Sequence, residues 1–214
     1  MMFNIFGCSQ KKEDKAFKVF NEGVTLSLDA GKQAESGNIE NANELNSKAI
    51  EKYKETLTID NNHKIARSAL GHSYYLQREF KEGIHWFELA NKLDTPAAAN
   101  YRELGLCKIN LGQISEGKTD LDKAFEMDKG SEIKEITILD LVDIGHLAFE
   151  YGDGYEAEGD KEEGLSYKRF SIGVLITAFN INETNKDVAK AISEYAENIG
   201  DTKTMLKYKQ IAEK

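Results

Sequence analysis

A single proline in 214 residues leaves almost nothing to interrupt a helix, since proline removes a backbone donor and clashes with the preceding turn. No stretch has the composition of a flexible linker, and 30% charged with 40% hydrophobic residues suits a helix-rich chain. Cysteine is nearly absent: Cys8 and Cys107 give no disulfide framework, and Cys107 reads as a small buried thiol. Histidine is scarce too, and His63, His72, His85 and His146 have no Cys or His companion at metal-ligand spacing. His72 reads as a contact residue as readily as a plain surface one, while the other three read as structural. There is no nucleophile elbow. Gly152-Asp153-Gly154 follow a helical pattern instead of a strand, so they lack the context in which a glycine turn cradles phosphate. A basic stripe is missing as well. The net charge is −9 and the pI about 5.1, with lysines dispersed among acids, which argues against nucleic-acid binding. The longest apolar run, residues 170–179, is too short and too polar at its flanks to cross a membrane. Its β-branched content would suit a buried strand, but no partner strand is evident, so it reads as an enclosed helix.

What is present is a period. Leu70-Gly71 recurs 34 residues later as Leu104-Gly105, Gly83 as Gly117, Phe87 as Leu121, Ala90 as Ala124 and Leu93 as Met127. Between these anchors the apolar residues fall three and four apart, so each unit reads as two short helices. Gly71 and Gly83, on successive antiparallel helices, let two backbones approach while Phe80, Phe87 and Leu70 fill the space beside them. Trp86, with Phe87 and Tyr74, belongs to the same packing. Turn-like pairs Gly37-Asn38, Arg78-Glu79, Gly112-Gln113, Gly159-Asp160 and Gly200-Asp201 each precede a helical pattern, at separations of 41, 34, 47 and 41. Seven extra residues are about two helical turns, which a longer helix absorbs without changing its buried face. The first and fourth pairs should therefore be elongated. Helices are expected near 13–35, 39–59, 63–76, 80–92, 97–110, 114–127, 132–157, 161–181, 185–198 and 202–213, with a kink or early end near Gly152.

These units resemble the tetratricopeptide repeat (TPR) family. Leu70-Gly71-x2-Tyr74, Gly83-x3-Phe87, Ala90 and Thr95-Pro96 follow its pattern, with Arg67 where that family prefers Trp. The next unit keeps Tyr101-x2-Leu104-Gly105, Gly112, Gly117-x3-Leu121 and Ala124, with Lys108 in place of an aromatic. The resemblance implies an all-α, TPR-like α-solenoid of about five antiparallel helix pairs over 13–214, without a second domain. It also implies a concave groove lined by the first helix of each pair. Carried onto matching positions, that groove holds Ser68, His72 and Tyr75, then Arg102, Leu106 and Ile109, then Phe149, Asp153 and Glu156, and finally Lys190 and Glu194. On this reading Tyr75, Leu106, Ile109 and Phe149 supply desolvated contact area and Arg102 pairs with a carboxylate or carbonyl. The family's carboxylate clamp is not reproduced, because Asn110 and Arg102 alone do not make it.

Residues 1–12 form a separate N-terminal segment. Ile5-Phe6-Gly7-Cys8-Ser9 resembles the lipobox of a bacterial lipoprotein, which would make Cys8 a lipidation site and 1–12 a tether or remnant signal. Phe6 is unusual in that motif, no Lys or Arg precedes it, and the apolar stretch is shorter than a signal requires unless the true start lies upstream. The expected location is a bacterial membrane surface on the periplasmic or outer side, with the cytoplasm as the alternative.

The acidic cluster Asp153, Glu156, Glu158, Asp160, Glu162 and Glu163 offers hard oxygen ligands, but its spacing does not match a calcium loop. It reads as a solvated turn whose acids complement a helix dipole. Asn182-Glu183-Thr184 fits a glycosylation sequon and reads more simply as a turn and helix cap. The functional expectation is a non-catalytic module, without cofactor or metal, that binds a peptide or protein. Alternatives are an immunity or chaperone-like protein that sequesters a secreted, basic effector, and a metal-dependent enzyme using residues 153–163.

Overall fold

A computed structural model describes residues 3–214, with side chains from Gln10 onward. Among the described residues there are ten helices and no strand: α1 (Phe3–Glu35), α2 (Ile39–Ile59), α3 (Ala66–Leu76), α4 (Phe80–Leu93), α5 (Ala98–Asn110), α6 (Ile114–Met127), α7 (Ser131–Ala157), α8 (Lys161–Ile181), α9 (Lys186–Asn198) and α10 (Thr202–Ala212). The helix expected from residue 13 begins ten residues earlier, at Phe3, so its backbone runs through Cys8. The side chain of Cys8, and with it the lipidation assignment, lies outside the described residues. Residues 170–179 are helical within α8. The early end expected near Gly152 does not occur, as α7 continues to Ala157.

Five connections within pairs are alike. Each is three residues long, and its middle residue has a left-handed backbone: Gly37, Arg78, Gly112, Gly159 and Gly200, with φ from 60° to 96°. In each, the amide after the middle residue donates to a carbonyl five residues back, as from Asn38 to Gln33, Glu79 to Tyr74 and Asp201 to Ala196. This arrangement satisfies carbonyls that a helix end leaves open, and glycine reaches it without steric cost. Asn38, Asp160 and Asp201 then cap the next helix by accepting from the amides of Asn41, Glu163 and Thr204. Arg78 is the exception at φ 60°. Arg78→Gly is expected to stabilise the protein by about 0.5–1 kcal/mol, seen as a higher urea midpoint. A lower midpoint would mean that the arginine side chain makes compensating contacts.

Helix lengths follow the turn spacing. At 21 residues each, α2 and α8 are seven residues longer than α4 and α6 at 14. The chain divides into two compact units, the first ending at Cys107 and the second running Lys108–Lys214.

In the first unit α1 packs on α2 and α3 on α4. Phe20, Ala49, Ile50, Tyr53, Ala66 and Leu70 make one buried cluster, with Trp86 and Tyr74 partly buried against it. Phe87, Leu104 and Cys107 make another, flanked by Tyr75 and Phe80. A Cβ added to Gly71 would lie 2.6 Å from the Phe87 ring, so only glycine leaves room for that ring. Burial, reinforced by the charge of Glu103, pushes the Cys107 thiol from 9.0 up to about 12. Cys107 is therefore expected to resist a thiol reagent at pH 8 in the native protein and to react after unfolding. Fast native modification mapped to Cys107, and not to Cys8, would show that this cluster opens readily.

Arg67 is enclosed at the start of α3. Its Nη1 donates to the Asp94 carboxylate at 3.0 and 3.3 Å, and its Nη2 to the backbone and side-chain oxygens of Asn61 at 2.5 and 3.0 Å. One side chain thus ties the loop before α3 to the end of α4.

In the second unit α7 and α8 form the longest contact, with α9 packed on α8 and on α10. The α7–α8 approach is closest where Gly152 and Gly164 face each other. A Cβ on Gly164 would meet the Gly152 carbonyl at 2.7 Å, and one on Gly152 would meet the Gly164 carbonyl at 2.8 Å. Further along, Ser171 donates to the Gly145 carbonyl at 2.6 Å. Asn182 accepts from the Thr184 amide and hydroxyl, making a turn, while the cap of α9 is Asn185, which accepts from Val188.

Candidate partner-binding surface

The residues expected to line a groove separate by burial. Leu106 and Ile109 are fully enclosed and Phe149 is 7% exposed, which corrects the expectation that they offer apolar contact area to a partner. All three point into core. On α5 apolar side chains lie all around the helix (Tyr101, Leu104, Leu106, Cys107, Ile109), so family register alone did not say which of them faces outward.

In the first unit the structure brings the α3 and α5 residues together. Asn100 Nδ2 donates to Ser68 Oγ at 2.9 Å. One turn further, His72 Nδ1 lies 2.9 and 3.0 Å from the two Glu103 carboxylate oxygens. That hydrogen bond holds the imidazole above its ordinary value against the opposing effect of burial, so protonation and the His72–Glu103 bridge strengthen each other. The His72 side chain remains 46% exposed while Glu103 is 14% exposed. Tyr75 and Arg102 are half-buried beside these bridges, Tyr75 with its ring 6.1 Å from that of Phe80. Sequence reasoning named His72 but not Glu103 or Asn100, which lie 31 residues from His72 and 32 from Ser68. The near-34 spacing was the available signal, since one repeat separates neighbouring first helices.

In the second unit the expected residues are engaged internally. The Lys168 ammonium, on α8, is bonded to Asp153 at 2.7 Å and Glu156 at 2.6 Å on α7, and to the Asn198 side-chain oxygen at 3.0 Å at the end of α9. It also lies 5.1 Å from the Phe149 ring centroid. Burial lowers the basicity of this lysine, but the two carboxylates together outweigh it and hold the ammonium above its ordinary value. Phe149 stacks on Tyr195 with ring centroids 3.7 Å apart, and His146 Nδ1 contacts the Tyr195 hydroxyl. Lys190 and Glu194 are exposed on α9 and paired only loosely, at 3.8 Å. Among the described residues no group of three or more His, Cys, Asp or Glu side chains converges to hold a metal ion. Two members of the acidic cluster are instead ligands of a lysine. Nor, among the described residues, is any helix long and apolar enough to cross a membrane.

The 34-residue register holds in three dimensions. Leu70 and Leu104, Gly83 and Gly117, Phe87 and Leu121, and Ala90 and Ala124 are all buried, each pair at equivalent places in its helices; only the last pair, Leu93 and Met127, is exposed. The fold is tetratricopeptide-like. No protein-family model matches the chain, and no curated protein matches it. Among solved structures it is similar to MamA, at 18% identity over 86% of this chain and 91% of MamA, with a TM-score of 0.45. It is also similar to YrrB, a TPR protein with an unusual peptide-binding site, at 15% identity over 94% of this chain and 90% of YrrB, with a TM-score of 0.47. A third likeness is to the Cut9–Hcn1 hetero-tetramer of APC/C, at 13% identity over 89% of this chain and 43% of that one, with a TM-score of 0.39. The TPR-like description rests on the chain's own helix pairs, turns and buried register.

Proposed function

We propose that this TPR-like chain is a non-catalytic interaction module that takes a peptide or protein partner on the α3–α5 face. The observation that carries this reading is the pair of bridges Asn100–Ser68 and His72–Glu103. They fix two first helices side by side and leave His72 open, with Tyr75 and Arg102 half-exposed beside it. A face whose side chains are already ordered loses less entropy when a partner docks. The engagement of Asp153 and Glu156 by Lys168 supports a structural use for that part of the acidic cluster and disfavours metal-dependent hydrolysis.

The test is crosslinking and co-purification from the native host, comparing the wild-type chain with His72→Ala and with Tyr75→Ala combined with Arg102→Glu. Circular dichroism on each variant establishes that it is folded. Loss of one stoichiometric partner in the folded variants supports the α3–α5 face, whereas an unchanged partner set rejects it. Lipidation of Cys8 and a membrane-surface location belong to the proposal and rest on the lipobox resemblance. Mass spectrometry showing an unmodified Cys8 in the mature native protein would remove them.

A further inference from the structure

The second unit carries an aromatic surface that the preceding reading does not use. Tyr155 on α7 and Tyr167 on α8 stack with ring centroids 5.2 Å apart and planes within 17°. Tyr151, one helical turn before Tyr155 and 50% exposed, meets Tyr167 edge-on at 6.1 Å. Beside Tyr167 a shallow groove is walled by Leu111, Glu163, Ser166 and Phe170, and its lining holds no Lys or Arg. Three rings gather here near the solvent edge, Tyr151 exposed and Tyr155 and Tyr167 partly buried.

The charge around these rings is mostly negative. Residues 150–163 contain Glu150, Asp153, Glu156, Glu158, Asp160, Glu162 and Glu163 against Lys161 alone. Lys168 neutralises Asp153 and Glu156, while Glu158, Glu162 and Glu163 are exposed and, among the described residues, pair with no cation. The negative field reaches the rings. Burial first, then Tyr155 and Glu163, hold the Tyr167 phenol above its ordinary value. These carboxylates do not converge on a point, so they do not suit a metal ion. They suit a wide, flat cation on a long arm, because a guanidinium can lie on a tyrosine face while its N–H groups reach carboxylates at the rim.

From this geometry we infer that the Tyr151–Tyr155–Tyr167 surface and its acidic rim dock an arginine-bearing basic segment of a protein partner. The inference builds on the interaction-module reading and adds the chemistry of one contact. It is separate from the α3–α5 face. The cation–π contact selects arginine over lysine, and the rim sets the strength of attraction at low salt.

The probe is a fluorescein-labelled peptide of alternating Arg and Gly, titrated with the full chain by fluorescence anisotropy. Comparison peptides carry Lys or citrulline in place of Arg. Saturable binding is expected, about 3-fold weaker with Lys and at least about 10-fold weaker with citrulline, which keeps the shape and loses the charge. Tyr151→Leu, at an exposed ring, should weaken binding about 2- to 5-fold. Glu162→Gln with Glu163→Gln should weaken it about 10-fold in low salt. Glu40→Gln with Glu44→Gln on α2 makes the same change in net charge and should leave it nearly unchanged. Absence of saturable binding, or equal losses in the two charge variants, would overturn the inference in favour of diffuse attraction to an acidic protein. Either result leaves partner capture by the α3–α5 face untouched, since Arg102→Glu should not alter binding of this peptide.

Discussion

Arg67→Ala is expected to destabilise the first unit by about 3–5 kcal/mol. Arg67 and Asp94 side chains are only 6% and 4% exposed, so removing the guanidinium strands a carboxylate where water does not reach it. The loss includes the Asn61 contacts, which hold the loop ahead of α3. Urea denaturation followed by circular dichroism would read the change. The double variant Arg67→Met, Asp94→Leu separates two causes: it removes both charges and roughly retains volume, and is expected to recover most of the loss. A single-variant loss below about 1 kcal/mol would show that water enters the site and solvates Asp94.

Asp153→Asn combined with Glu156→Gln is expected to cost the second unit about 3 kcal/mol or more. The reason is an asymmetry of exposure. Lys168 is 2% exposed, whereas Asp153 and Glu156 are 57% and 38% exposed. Removing the carboxylates leaves an enclosed ammonium with only Asn198, two neutral amides and the Phe149 ring. Removing the ammonium by Lys168→Met returns the carboxylates to water and should cost less than half as much. Alkaline titration gives a second readout. The folded-state basicity of Lys168 is raised, so its contribution is fully present below the ordinary lysine value of about 10.4 and is lost as pH rises through the higher folded value. Cys107 and the buried tyrosines titrate with the same sign. The double variant should therefore be less stable at neutral pH and lose less on going to high pH. Equal costs for the carboxylate and lysine variants would contradict the asymmetry.

The helices were legible because two local signals agreed. A three-to-four spacing of apolar residues marked each helix, and a glycine marked four of the five turns within a pair, Arg78 standing in the other. The start of α1 was missed because Gln10 to Lys15 is uniformly polar, which gives a helix no face to declare. The long-range pairings were less visible. Lys168, about two turns into a helix and followed by an apolar run, reads as an ordinary surface lysine; its ligands lie 12 and 15 residues before it and 30 after it. Arg67 registered only as a departure from a family pattern, while its partner sits 27 residues away. The burial of Leu106, Ile109 and Phe149 was not legible for a related reason. A repeat register fixes which helix a residue belongs to more firmly than how that helix is rotated.

The five matching turns separate two properties that proteins usually vary together. Each reversal uses the same three-residue link, so the reach of a hairpin depends only on its arms: about 21 Å for the 14 residues of α6 and about 40 Å for the 27 of α7. A gene for such a chain can gain or lose whole helical turns inside an arm while the hinge stays fixed. Insertions near a multiple of 3.6 residues keep the inward stripe aligned, and others rotate it out of register. Length variation among relatives of this chain should accordingly come in steps of about three, four or seven residues within arms, with the hinges constant in length.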